Sequence, residues 1–191
     1  MVKTGTIMSV KSPKSDLTSE IGIYLLVAEL LHLEIDKRLH SVLTESDTLA
    51  LFQKLDSECS AYLSGLLNPN GFEQAAVDFC DQFILPESKS VPRAAGWMDM
   101  EQTMLVDKVV SQFLNEWKIE LPESYRHLAF DHISLILYVS SVIRQEDAAQ
   151  AAEFDAATLF PWVTRLGDSL VSSPVPVYRA LGEVLKQLPE T

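Results

Sequence analysis

The fold of this chain depends most on residues 133–139, which read ISLILYV. This is the longest strongly apolar run among the 191 residues. We predict that it belongs to one helix from Pro122 to about Gln145, because proline suits the first turn, where its missing N–H needs no partner. The second half of this helix is apolar nearly all round, which indicates a central, buried element.

Apolar residues recur at helical spacing on both sides of that segment. Upstream, a helix is predicted from about Met100 to Trp117. Its predicted buried face consists of apolar residues four apart, namely Leu105, Val109, Phe113 and Trp117. Downstream, Thr158 is expected to cap a helix that ends near Ser172, and a last helix follows Pro176. No segment alternates over strand length, so the predicted fold class is all-α, a compact multi-helix bundle.

The N-terminal end of the chain differs from the helical part in composition. Residues 1–15 contain serine, threonine, lysine and proline without periodicity, so we expect a disordered N-terminal segment. One all-helical domain is predicted over residues 16–191, with Asp16 or Thr18 capping its first helix. If this domain has two lobes, the helical pattern places their boundary near residues 119–122, where Pro122 interrupts it.

Charge and composition narrow the class of protein. The formal net charge of -12 repels phosphate backbones, so nucleic acid is not an expected partner, whereas a cationic peptide or a basic protein surface is. No apolar run approaches the roughly 20 residues of a membrane-spanning helix. Cys59 and Cys80 form no disulfide or zinc pattern, and no signal peptide is recognisable, so we expect a cytoplasmic protein.

A polar stripe is the first candidate site. If the central helix is continuous, His127, Asp131, Ser134 and Tyr138 lie at positions i, i+4, i+7 and i+11 on one face. Buried polar groups need partners, so two interpretations are open. The stripe either faces a groove in which Asp131 accepts from an incoming donor, or pairs internally. His132, beside apolar neighbours, fits a core histidine.

Catalytic, metal and nucleotide sites have no support in the sequence. There is no nucleophile elbow, no His-x-x-x-His pair enclosing a glutamate, and no Gly-x-x-x-x-Gly-Lys loop. We therefore expect no enzyme, no metal and no cofactor.

Two tryptophans near connectors are the second candidate site. Trp97 follows Gly96 in a long connector (residues 85–99), and Trp162 follows Pro161 at a predicted helix start. Large aromatic residues in such positions either wall a peptide groove or close the end of a helical core. Both interpretations remain open for this chain.

Four short motifs occur in order between about residues 72 and 188. They are Trp97-Met98-Asp99, Asp131-His132, LFPW at residues 159–162 and YRALGE at residues 178–183. Together they resemble the TorD/DmsD/NarJ family of chaperones for molybdenum enzymes, and within it the DmsD-like members. The family's proline and acidic residues before the aspartate-histidine pair are replaced here by Leu128-Ala129-Phe130.

The resemblance implies a TorD-like bundle that binds the twin-arginine signal peptide of a molybdopterin oxidoreductase of the DMSO or TMAO reductase kind. Such a chaperone retains the apo-form of the catalytic subunit until the cofactor is inserted and the precursor is exported. The residues expected to contact the peptide are Asp131, His132, Trp97, His127, Tyr138 and Trp162, with Asp131 accepting from arginine.

Oligomeric state and client remain open in the sequence. Some members of the family bind guanine nucleotide or form domain-swapped dimers, and this sequence favours neither over a monomer. Ile119–Pro122 would serve as the hinge of a swapped dimer. The alternative function is an all-helical adaptor that docks a different folded partner without binding a signal peptide.

Overall fold

The computed structural model describes residues 20–190, and within them the chain is all-α, as predicted. Over that range it forms ten α-helices: α1 (Glu20–Leu30), α2 (Lys37–Leu43), α3 (Ser46–Leu55), α4 (Cys59–Gly65), α5 (Gly71–Phe79), α6 (Met100–Glu116), α7 (Ile133–Glu146), α8 (Ala148–Thr158), α9 (Val163–Val171) and α10 (Pro176–Gln187). A π-helix (Cys80–Ile84) continues α5. The predicted disordered segment 1–15 and the caps Asp16 and Thr18 lie outside the described residues.

The chain divides into two compact units, each assembled from two separate segments. Among the described residues, the first unit consists of residues 20–29 and 93–161, and the second of residues 30–92 and 162–190. The first unit therefore contains α6, α7 and α8 with most of α1, and the second contains the remaining helices. Residues 119–122 lie inside the first unit.

Helix α7 forms the core of the first unit. Every residue from Ile133 to Ile143 is buried, as the apolar run predicts. Helices α6 and α8 also pack on each other, with the rings of Phe113 and Phe154 5.0 Å apart. Because α7 has no solvent face over three turns, its serines are buried with its aliphatic side chains.

The predicted start of this central helix at Pro122 is wrong. Pro122 precedes a short 3-10 helix (Glu123–Tyr125), and α7 begins only at Ile133. The reason is that the backbone of residues 131–132 pairs with another segment. The N–H of Ala94 donates to the carbonyl of Asp131 at 2.9 Å, and Arg93 and His132 form an isolated antiparallel bridge. The backbone conformation of such a bridge is extended and cannot be part of an α-helix.

The predicted role of Thr158 is also wrong. Thr158 ends α8 and does not cap the next helix, because its hydroxyl donates to the carbonyl of Phe154 at 2.8 Å. The next helix, α9, begins at Val163 after Trp162.

In the second unit α9 and α10 cross closely, and glycines permit this approach. A Cβ atom on Gly182 would lie 2.7 Å from the carbonyl oxygen of Gly167. The ring of Tyr178 packs edge-to-face on Phe83 of the π-helix at 5.0 Å. On α10, Arg179 also pairs with Asp56 at 2.6 Å and Glu58 at 2.5 Å. Tyr178, Arg179 and Gly182 of the YRALGE motif therefore have structural roles within this unit.

Candidate functional site

Asp131 holds the connector that leads into α6. Its Oδ1 accepts from the Nε of Arg93 at 2.8 Å, and its Oδ2 accepts from the backbone N–H of Ala95 at 3.1 Å. The Asp131 side chain is 0% exposed, whereas that of Arg93 is 48% exposed. Both oxygens of Asp131 therefore already have donors in the folded chain, and the carboxylate does not face solvent.

His132 lies at the N-cap of α7. Its Nδ1 accepts from the N–H of Ser134 at 3.2 Å, which satisfies one of the free N–H groups at the helix start. The ring is buried, in agreement with the core histidine that the sequence indicates. Asp131 and His132 together join the connector to the start of α7.

The predicted polar stripe does not exist as a helix face. His127 is exposed in the segment before α7 begins, whereas Tyr138 is buried inside that helix. The ring of Tyr138 packs on Tyr125, with centroids 4.8 Å apart. Because residues 126–132 are not helical, the spacing i, i+4, i+7 does not bring His127, Asp131 and Tyr138 onto one side.

The two tryptophans are in different units and differ in exposure. Trp97 is half-buried at the end of the 3-10 helix Ala94–Gly96, and its backbone N–H donates to the carbonyl of Ala94 at 2.8 Å. It lies two residues before Asp99, which caps α6. Trp162 is fully buried and belongs to the core of the second unit. The structure thus brings Trp97, Asp131 and His132 to one connector.

Helix α6 exposes apolar side chains near its N-terminus. Met100 is 81% exposed, Met104 65% and Leu105 57%. We call these three residues the α6 surface. The prediction that Leu105 belongs to the buried face is wrong, since Val106 and Val110 occupy that face. Leu105, Val109 and Phe113 are four residues apart, and so are Val106, Val110 and Leu114. The sequence therefore allowed two registers, and only tertiary packing chose between them.

Asp107 is a half-buried carboxylate on α6. Its Oδ1 is buried and accepts no hydrogen bond from any described residue. Burial raises the pKa of Asp107, and the charge of Asp131 raises it further, while Arg93 lowers it. The ionised carboxylate is thus kept in a site where its charge is not fully compensated.

Metal ligation and membrane spanning by a helix have no structural basis in the described residues. Within residues 20–190 no group of three or more histidine, cysteine, aspartate or glutamate residues could hold a metal ion. Over the same residues no helix is long and apolar enough to cross a membrane. Cys59 and Cys80 are both free thiols, the first buried and the second exposed.

Comparison with models of protein families, with curated proteins and with solved structures finds no match to this chain.

Proposed function

We propose that this chain is a peptide-binding chaperone without turnover of its own, whose ligand is a twin-arginine signal peptide. The client would be a molybdopterin oxidoreductase of the DMSO or TMAO reductase kind, held in its apo-form until its cofactor is inserted. The proposal is supported by the resemblance of four motifs to the TorD/DmsD/NarJ family and by the chemistry of α6. The observation that carries it is an exposed methionine and leucine face on the same helix as Asp107, whose Oδ1 accepts no hydrogen bond from the described residues.

The α6 surface has the properties of a peptide-binding face. Methionine is flexible and polarisable, so it adapts to apolar ligands of different shape, and it recurs at promiscuous binding surfaces. Met100 and Met104 are one helical turn apart and both are mostly exposed. Exposed apolar side chains grouped in this way are typical of interaction sites. A leader with arginines before an apolar stretch matches such a face next to carboxylates.

The family-like motifs then support the surface and are not the main peptide contacts. Asp131 fixes Arg93 and Ala95, and this connector leads through Trp97 to the cap of α6. Among the predicted contact residues, Trp97 is the one best situated to touch a peptide, because it is half-buried next to α6. Asp131 and His132 would act by keeping the connector and α7 in place.

The experiment is titration of the purified protein with a synthetic twin-arginine leader, with binding measured by calorimetry and by tryptophan fluorescence. Saturable binding at micromolar concentration or tighter is expected. Met100→Ser together with Met104→Ser should weaken it by about tenfold or more, given ~0.8 kcal/mol for each buried methylene. The control is Val77→Ser, an exposed apolar residue of the second unit. Absence of saturable binding to wild-type protein would refute the proposal.

The adaptor alternative has one observation in its favour. In the second unit Val77 and Ile84 are exposed at positions seven apart along α5 and its π-helical extension, and Leu85 follows them. A folded partner docking there would depend on these residues and not on the α6 surface. If Val77→Ser with Ile84→Ser abolishes binding of the precursor, while Met100→Ser with Met104→Ser does not, the adaptor function is the correct one.

A further inference from the structure

We propose that the α6 surface binds an apolar peptide segment, and that Asp107 accepts a hydrogen bond from the guanidinium of an arginine that precedes this segment. This inference rests on the proposed function and names the contact that recognises the positive charge of the leader. Asp107 replaces Asp131 as the expected acceptor for arginine.

The partners of the nearby charges favour Asp107 over Asp131. Arg93 already binds Asp131 at 2.8 Å, and the N–H of Ala95 takes the other oxygen of that carboxylate. The charges of Arg93 and Asp131 both act on Asp107, but its buried Oδ1 accepts no hydrogen bond from the described residues. Of the two carboxylates, therefore, only Asp107 has capacity for an incoming donor.

A second buried carboxylate of the same unit shows what Asp107 lacks. Burial raises the pKa of Asp155 too. Yet one oxygen of Asp155 accepts from Arg144 at 2.6 Å and from the hydroxyl of Tyr24 at 3.0 Å. Among the described residues, a guanidinium is hydrogen-bonded to Asp155, whereas Asp107 has only the charge of Arg93 nearby and no hydrogen bond to its Oδ1. A guanidinium from a ligand would supply the missing donor, and its planar set of N–H groups suits a carboxylate.

Helix geometry connects the carboxylate with the apolar face. At about 100° per residue, Met100, Met104 and Asp107 lie within roughly 60° of one another around α6. Along the axis Asp107 is roughly 10 Å from Met100, at 1.5 Å per residue. About three residues of extended peptide span that distance. The ligand would therefore place its arginine at Asp107 and its following apolar residues over Met104 and Met100.

The net charge of the chain also favours a cationic ligand. On α6 the exposed side chains of Glu101 and Lys108 carry opposite charges, whereas the chain as a whole has a formal net charge of -12. Such a field attracts a basic segment and repels an acidic one. An uncharged apolar peptide would use the methionines but would leave Asp107 without a donor.

The test is a double-mutant cycle between Asp107→Asn and the leader with its arginines replaced by glutamine. The substitution keeps the shape of the side chain and removes its charge. We expect each single change to weaken binding by about tenfold to a hundredfold, the usual effect of a charge-assisted hydrogen bond. The two changes together should weaken binding little more than either alone, because both remove the same contact.

Glu101→Gln is the matched control, since it removes one negative charge from an exposed position of the same helix. It should change the affinity less than threefold, as expected for a screened surface charge. Asp107→Asn must also retain the thermal midpoint of the wild-type protein, so that lost binding is not lost folding.

Two outcomes remain distinguishable. If wild-type protein does not bind the leader, the proposed function fails. If wild-type protein binds it but Asp107→Asn binds equally well, or if the effects of the two changes multiply, the proposed function stands and the assignment of Asp107 is wrong.

Discussion

Replacing Arg144 by methionine is the most direct test of how the first unit is held together. Arg144 on α7 donates to Asp155 on α8 at 2.6 Å and pairs with Glu20 on α1 at 2.7 Å. Its guanidinium also lies 4.8 Å from the ring centroid of Tyr24. Arg144→Met keeps much of the side-chain length but leaves the carboxylate of Asp155 buried without its cation.

The expected loss of stability is about 3–5 kcal/mol at pH 7, because an unpaired buried charge is far more costly than a missing surface pair. Asp155 is 0% exposed and Arg144 only 11%, so water cannot replace the guanidinium. For a chain of this size the loss corresponds to a fall of roughly 6–20 °C in Tm. Urea unfolding followed by circular dichroism at 222 nm measures it.

The double variant Arg144→Met with Asp155→Asn should recover at least half of that loss. It removes the buried charge at this site, and the amide still offers an oxygen to the Tyr24 hydroxyl, which in the wild type donates to Asp155 at 3.0 Å. Glu20→Gln is the control, since Glu20 is 44% exposed and its pair with Arg144 should contribute at most about 1 kcal/mol.

The pH dependence gives the sign of the effect. Burial raises the pKa of Asp155 above its usual value, and Arg144 and Tyr24 lower it again. Without Arg144 the pKa of Asp155 rises further. Above that pKa the carboxylate is ionised and destabilises the variant. The loss of stability should therefore shrink as the pH falls through the pKa of Asp155. A deficit below about 1 kcal/mol at pH 7, or a deficit that grows towards acid pH, would refute the reasoning.

Three other predictions concern separate parts of the molecule. Gly182→Ala should destabilise the protein by at least about 1–3 kcal/mol in urea unfolding, since the new Cβ would lie 2.7 Å from the carbonyl oxygen of Gly167. Leader affinity should fall as the pH drops through the raised pKa of Asp107, because a neutral carboxyl attracts no cation, and Asp107→Asn should abolish that dependence. Asp131→Ala should lower stability by about 1–3 kcal/mol and speed hydrogen exchange at Ala95, whose N–H loses its acceptor.

The apolar pattern predicted the helical class and the burial of α7 because both depend on neighbours in sequence. Residues 133–143 carry too few polar groups to face water on any side, so no packing arrangement could expose them. The same pattern could not find where α7 begins. That point depends on the backbone bond between Ala94 and Asp131, which are far apart in the sequence.

The candidate site was only partly predictable. The motifs with Trp97, Asp131 and His132 do meet at one connector, but the sequence does not reveal that Asp131 is already bound by Arg93, 38 positions earlier. The methionines of α6 were missed because Leu105 and Val106 both begin a regular apolar series. Where a helix has two acceptable registers, only the helices that pack against it determine which of its faces is buried.

Composition and periodicity alone thus determine that this chain is acidic and helical, with one segment apolar enough to be central in its unit. Tertiary structure alone decided which face of α6 remains in solvent, and that within residues 20–190 both oxygens of Asp131 have donors whereas Oδ1 of Asp107 has none. The physical reason is that propensity and amphipathic spacing act between residues a few positions apart. Burial and hydrogen-bond satisfaction depend on residues that folding brings together, such as Arg93 with Asp131 and Arg144 with Asp155.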